Sequence, residues 1–143
     1  MLMRTVYRAV TVALSCVFIT VGAVAKTSTT TTLASSANPS TYGSSVTFTA
    51  TVTPSAATGT VTFKNGSTTL GTGTLSSGKA TLKTSTLAAG SNSITASYGG
   101  NATYNSSTST ALTQTVNKAT STVTLTSSAN PSTYGSSVTF TAT

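Results

Sequence analysis

The chain is 143 residues long and contains no Asp, Glu or His, seven Lys or Arg and one Cys, for a formal charge of +7. The side chains that act as general acids and bases near neutral pH are therefore missing, as are the carboxylates that hold calcium or magnesium and the ligand sets that hold zinc. No catalytic residue, cofactor or metal is expected, and the protein is not expected to be an enzyme.

The amino-terminal residues MLMRTVYR place Arg4 and Arg8 ahead of the apolar run AVTVALSCVFITVGAVA, which closes on Ala23-Val24-Ala25. A basic start, an apolar middle and a small-x-small close describe a secretory signal peptide over residues 1–25. Two alternatives stay open. The apolar run, at 17 residues, is at the lower limit for an uncleaved membrane anchor. The tetrapeptide ALSC would suit a lipoprotein signal acylated at Cys16, although the apolar run continues well past that cysteine. Cleavage after Ala25 removes Cys16 and both arginines, leaving Lys26, Lys64, Lys79, Lys83 and Lys118 and no possible disulfide. The expected destination is the cell surface or the medium, with membrane contact only through the signal segment.

Thr and Ser supply 61 residues of the chain. A disordered, mucin-like stalk would also need abundant Pro and few apolar residues, whereas there are three Pro and 37% apolar residues. The Thr residues alternate with Val, Phe, Ala and Leu, and a β-branched hydroxyl side chain suits the wet face of a strand.

Seven strands follow in order. TTTTLASSA opens the unit and stops before Asn38-Pro39. SVTFTATVTP alternates strictly, with Val46, Phe48, Ala50 and Val52 on one face and Thr47, Thr49, Thr51 and Thr53 on the other. GTVTFKNGST turns Val61 and Phe63 inward and reads as a hairpin turn at Asn65-Gly66. The glycine-rich TLGTGTL belongs at an edge or bulge, with Leu70 and Leu75 as its apolar contacts. After a turn at Ser76-Ser77-Gly78, KATLKTS faces Ala80 and Leu82 inward and Lys79, Thr81 and Lys83 outward. Leu87 precedes the sixth strand, which carries Ile94, Ala96 and Tyr98 on one face. The last, within STSTALTQTV, offers Leu112 and Val116.

Residues 35–51 recur letter for letter at 127–143, an offset of 92 residues, and Lys26 and Leu33 fall on Lys118 and Leu125. Such a period indicates tandem domains, and it is near the ~100 residues of an immunoglobulin-like sandwich. The expected organisation is a signal peptide over 1–25, an all-β, immunoglobulin-like seven-stranded sandwich over 26–117, and the truncated start of a second copy over 118–143. That second copy stops before its equivalents of Val61, Phe63, Leu82, Ile94 and Tyr98. It is expected to pack poorly alone and to be the beginning of further repeats.

NPSTYGSSVTFTATVTP, GTVTFKNGSTTLGTGTL and LAAGSNSITASYGGNATYNSSTS together resemble the bacterial Ig-like domains found as tandem repeats in large exported bacterial proteins. The resemblance covers residues 29–116 and the partial copy from Thr120 onward. It implies a β-sandwich with a structural, spacer or adhesive role and no catalytic residues. One position departs from it: such domains commonly carry Asp after Gly99-Gly100, where this chain has Asn101, so a cation-binding role for that carboxylate does not transfer.

Candidate contact residues are few. Tyr98 and Tyr42 are expected to pack in or beside the core, whereas Tyr104, in a polar loop, is expected to be exposed and available for sugar stacking. Lys79 and Lys83 share an outward strand face, with Lys64 expected near them, and are candidates for a weak contact with anionic polysaccharide or nucleic acid; the favoured reading is a solvated face that discourages edge pairing. Nucleic acid is not an expected partner, since five lysines form no dense cluster. Ser76-Ser77-Gly78-Lys79 matches the bare S-x-x-K spacing of Ser-Lys catalysis, yet the companion S-D-N and K-T-G elements are absent and the same residues read as a turn. NGS, NAT and NSS at Asn65, Asn101 and Asn105 match glycosylation sequons. No internal Lys-Asn isopeptide bond is expected without an acid to promote it. The expected partners are neighbouring repeats of the same chain. The alternative role, an adhesive module acting through sandwich-end loops, adds cell-surface or extracellular polysaccharide.

Overall fold

The computed structural model describes residues 25–143. The expected signal peptide lies outside the described residues except for Ala25, which is exposed irregular chain. Among the described residues no helix is long and apolar enough to cross a membrane.

The period-2 alternation folds as it reads. In chain order the strands are β1 (Thr30–Ser35), β2 (Ser40–Thr41), β3 (Val46–Thr53), β4 (Thr60–Asn65), β5 (Thr68–Thr74), β6 (Lys79–Thr84), β7 (Gly90–Tyr98), β8 (Ser107–Thr108), β9 (Leu112–Asn117), β10 (Leu125–Ser127) and β11 (Phe140–Ala142). One sheet has the order β1-β3-β6, antiparallel throughout. β10 and β11 pair antiparallel as a separate two-stranded sheet, and the other sheet of the sandwich runs β2-β9-β7-β4-β5, with β8 attached to β7. Within it only β2 and β9 are parallel, Ser40 lying opposite Val116 and Thr41 opposite Asn117. The first strand thus begins in one sheet and, after a crossing at residues 36–39, ends in the other. The seven expected strands are β1, β3, β4, β5, β6, β7 and β9. The additional β2 and β8 are two residues each, too short to show a pattern.

The two sheets face one another across an apolar core. β3 contributes Val46, Phe48, Ala50 and Val52, and β6 contributes Ala80; from the other side β4 gives Val61 and Phe63, β7 gives Ile94, Ala96 and Tyr98, and β9 gives Val116. Leu82, expected to be fully inside, is only partly buried and packs against the core from its margin with Leu33, Leu70, Leu112 and Tyr104. Burying large apolar side chains of this kind contributes about 1.5–3 kcal/mol each. The outer face of β3 is a ladder of threonines, Thr47, Thr49 and Thr51, which are half-buried between their neighbours on β1 and β6.

The glycine-rich strand lies where its composition suggests. β5 is the edge of its sheet, and its register with β4 slips between Phe63 and Lys64. It also comes close to β6 of the opposite sheet. A Cβ added at Gly73 would stand 2.7 Å from the Thr81 carbonyl oxygen, and one at Gly71 2.8 Å from Leu82 Cδ1. Glycine at these positions lets two backbones from different sheets close one side of the sandwich.

Two turns show how local chemistry sets the register. Ser76 and Lys79 exchange both backbone hydrogen bonds, at 2.9 and 3.0 Å, around Ser77 and Gly78, whose φ values are 49° and 74°. Positive φ at both central residues is the twist that a two-residue hairpin requires. The other hairpin corrects the expected Asn65-Gly66 turn by one residue. Asn65 pairs with Thr68 as the last residue of β4, so the loop is Gly66-Ser67, with φ of 56° at Gly66. Asn65 remains in the strand because its side chain is used sideways, donating to Asn92 Oδ1 at 2.8 Å and accepting from the Ser93 N–H at 3.1 Å.

Candidate functional site

Polar side chains in this protein are spent largely on holding the strands together, and three groups of them deserve description. The first surrounds the crossing between β1 and β2. Gln114 lies on the inward alternation of β9 between Leu112 and Val116, and it is 0% exposed. Its Oε1 accepts the Ser35 hydroxyl at 2.6 Å, and its Nε2 donates to the Ala37 carbonyl at 2.8 Å and to Ser40 Oγ at 3.3 Å. Asn38 completes the join by acting as a strand residue through its side chain. Its Nδ2 donates to the Thr113 carbonyl at 2.7 Å, and its Oδ1 accepts the Thr115 N–H at 3.0 Å. Two amide side chains thus replace the ladder hydrogen bonds that the chain loses while it crosses between sheets.

The second group ties the loops at the opposite end of the sandwich. Asn101 Oδ1 accepts the N–H groups of Thr103 and Tyr104 at 2.8 and 2.9 Å, while its Nδ2 donates to both the carbonyl and the hydroxyl of Thr58 at 3.1 Å. The buried Tyr98 donates its hydroxyl to the same Thr58 carbonyl at 2.8 Å. Thr27 and the loop exchange further backbone bonds, Thr27 N–H to the Thr103 carbonyl at 2.8 Å and Asn105 N–H to the Thr27 carbonyl at 2.9 Å. At Asn101 an amide can both accept and donate, whereas a carboxylate could only accept and would face the Thr58 carbonyl.

The third group is the set of residues expected to make surface contacts, and they are dispersed. Tyr104, expected in the open, is half-buried and packs against the core. Tyr42, expected to be packed, is 56% exposed beside the end of β9, where its N–H donates to the Asn117 carbonyl at 2.8 Å. Lys79 and Lys83 are exposed on the outer face of β6, opposite Thr51 and Thr47. Lys64 is on β4 in the other sheet, so the three ammonium groups share no face. The Ser76 to Lys79 segment is the tight hairpin described above. The sequon asparagines at 65 and 101 are engaged in the hydrogen bonds given, and Asn105 is exposed. Among the described residues no group of three His, Cys, Asp or Glu side chains is gathered as a metal site would need.

Sequence reading missed Gln114, because a glutamine on a strand of threonines gives no apolar signal. The pattern Leu112-x-Gln114-x-Val116 does place it on the inward face, and that period was the available sign.

A two-sheet sandwich, antiparallel except for the β2–β9 pair and with its first strand shared between sheets, defines an immunoglobulin-like module. The family model for the bacterial Ig-like domain (group 3) matches residues 25–117, and the chain belongs to that family. No curated protein matches it. Among solved structures it is similar to the fibronectin(III)-like modules of Clostridium thermocellum CbhA, with 21% identity over 62% of this chain and 94% of that one and a TM-score of 0.49.

Proposed function

We propose that the protein is a non-catalytic spacer of an exported bacterial protein, in which Ig-like units joined in series hold other parts of the molecule away from the cell. The observation that carries this reading is where the chain enters and leaves the sandwich. Thr27 is bonded to Thr103 and Asn105, in the loop that follows Tyr98 at the end of β7, while β9 leaves at Asn117, two positions after Thr115, which pairs with Ser91 at the start of β7. The two points lie at opposite ends of β7, a nine-residue strand spanning about 30 Å at ~3.3 Å per residue. Units connected in this way add length instead of folding back on each other.

The composition supports the same reading, since the chain has no Asp, Glu or His, and membership of the bacterial Ig-like family agrees with a structural module. Export rests on the signal-like residues 1–25 and on that membership. Small-angle scattering on proteins with one, two and three copies of residues 26–117 in series tests the proposal. A spacer lengthens by about 30 Å or more with each copy, and a maximum dimension that fails to grow with copy number overturns it. The alternative, carbohydrate capture by sandwich-end loops, is favoured by the exposed ring of Tyr42. A glycan array separates the two, because a spacer gives no saturable signal and a capture module gives one that Tyr42→Ala removes.

A further inference from the structure

The two ends of the complete unit, taken with the repeat offset, leave very little chain between one unit and the next. Asn117 is the last residue the unit holds: it pairs with Thr41, and its carbonyl accepts the Tyr42 N–H at 2.8 Å. At the entry end the first residue held by hydrogen bonds to both of its backbone groups is Thr27, whose N–H donates to the Thr103 carbonyl at 2.8 Å and whose carbonyl accepts the Asn105 N–H at 2.9 Å. Adding the offset of 92 residues turns Lys26 into Lys118 and Thr27 into Ala119. Both bonds of Thr27 are made by its backbone, so an alanine makes them equally well in a whole following unit. Lys118 alone then separates the last anchored residue of one unit from the first of the next. Its equivalent Lys26 is itself tied, its carbonyl accepting the Asn105 side-chain amide at 3.4 Å.

A link this short brings end loops together. Three consecutive Cα atoms span at most about 7 Å, so the exit end of one unit lies against the entry end of the next. The exit end carries the turn at residues 41–45 and the segment that follows Thr84, which pairs with Val46; the entry end carries Thr58 and the loop at 101–105. Among residues 25–117, Tyr42 is the one large apolar side chain left exposed, and its backbone is bonded to Asn117 itself. On the entry end Ala102, Thr103 and Asn105 are exposed, in a loop already fixed by the Asn101 side chain and by the bonds to Thr27. The one uncovered ring of the unit thus stands where the next unit must begin.

We propose that successive units dock end to end, with the Tyr42 ring of one unit packed on the 101–105 loop of the next, so that the array is a stiff rod and not a string of loosely joined beads. A tyrosine suits the place, because its ring is rigid and apolar while its hydroxyl bonds the amides, hydroxyls and carbonyls of an uncharged loop. This contact rests on the spacer reading, in which units stand in series, and adds to it a named interface and a stiffness. It also decides what the ring is free to do: within an array Tyr42 is covered by the following unit, and only the last unit presents it to carbohydrate.

The test is amide nitrogen relaxation on the full chain carried on after Thr143 with residues 52–117, so that a second whole unit follows the first. The expected result is one tumbling time common to both units. Tyr42→Ala should displace the amide signals of the second unit's 101–105 loop and give each unit its own, shorter tumbling time, whereas Tyr42→Phe keeps the units together. Gly-Ser-Gly inserted after Lys118 should separate them without touching either unit's own residues. Independent tumbling of the unsubstituted protein overturns the proposal, and so does joint tumbling that survives Tyr42→Ala or the insertion. The spacer reading is judged separately by scattering: length that grows with copy number while the units tumble independently removes the stiff junction and keeps the spacer.

Discussion

Single side chains carry unusual structural weight here because there is no ion pair to share it: without Asp or Glu, the lysines have no side-chain carboxylate to meet. Gln114 is the clearest case. Gln114→Ala leaves the Ser35 hydroxyl and the Ala37 carbonyl without their buried partner, and the expected loss of about 1–3 kcal/mol is measurable by chemical denaturation of the full chain. An unchanged midpoint would mean that water replaces the amide without cost. Phe48, fully buried at the centre of β3, is expected to cost about 3–5 kcal/mol as Phe48→Ala. That substitution probes ordinary core packing and serves as the comparison for Gln114. The tyrosines show where residue-level reading stops. Alternation along β7 places Tyr98 inside, but Tyr42 and Tyr104 lie beyond regular strands, where a turn decides which way a ring points and no period is available to predict it.

Strands were legible to the extent that they alternate. β3, β4, β6 and β7 follow the period-2 pattern closely, and the glycines of β5 correctly mark an edge with a slipped register. What the pattern could not give was the partner of those glycines, since an approach between strands of different sheets leaves no local trace. The approach has a graded consequence. At Gly73 the obstacle to a Cβ is the backbone of Thr81, which cannot move aside, whereas at Gly71 it is the flexible end of Leu82. Gly73→Ala is therefore expected to lower stability by about 1–3 kcal/mol and Gly71→Ala by clearly less. Thermal melts of the two variants check the order, and the reverse order would mean that β5 and β6 are not held by backbone proximity. The join around Gln114 and Asn38 was similarly hidden, because side-chain amides substituting for a ladder look in sequence like ordinary loop residues.

The whole molecule lacks the groups whose protonation usually unfolds proteins in acid. Asp, Glu and His, the side chains that ordinarily titrate between about pH 4 and pH 8, are absent from the chain. Linkage ties the slope of stability against pH to the difference in bound protons between folded and unfolded states, and that difference is near zero throughout this window. Denaturant melts from pH 4 to pH 7.5 are accordingly expected to superimpose. A steady fall in stability towards acid would require a titrating group that the sequence does not contain.

The parallel pairing of β2 with β9 has a mechanical meaning. A load applied along the molecule draws Thr27 and Asn117 apart, so β2 and β9 are pulled past each other in opposite directions. Hydrogen bonds that cross such a pair run across the direction of pull and must fail together in shear; a hairpin opened from one end would lose them one at a time. The Asn38 and Gln114 amides bridge the same pair of segments and add to the group that has to break at once. The seam that closes the sandwich is therefore also its tension latch, and Asn38→Ala, which removes two of its bonds, should lower the force at which a stretched domain gives way.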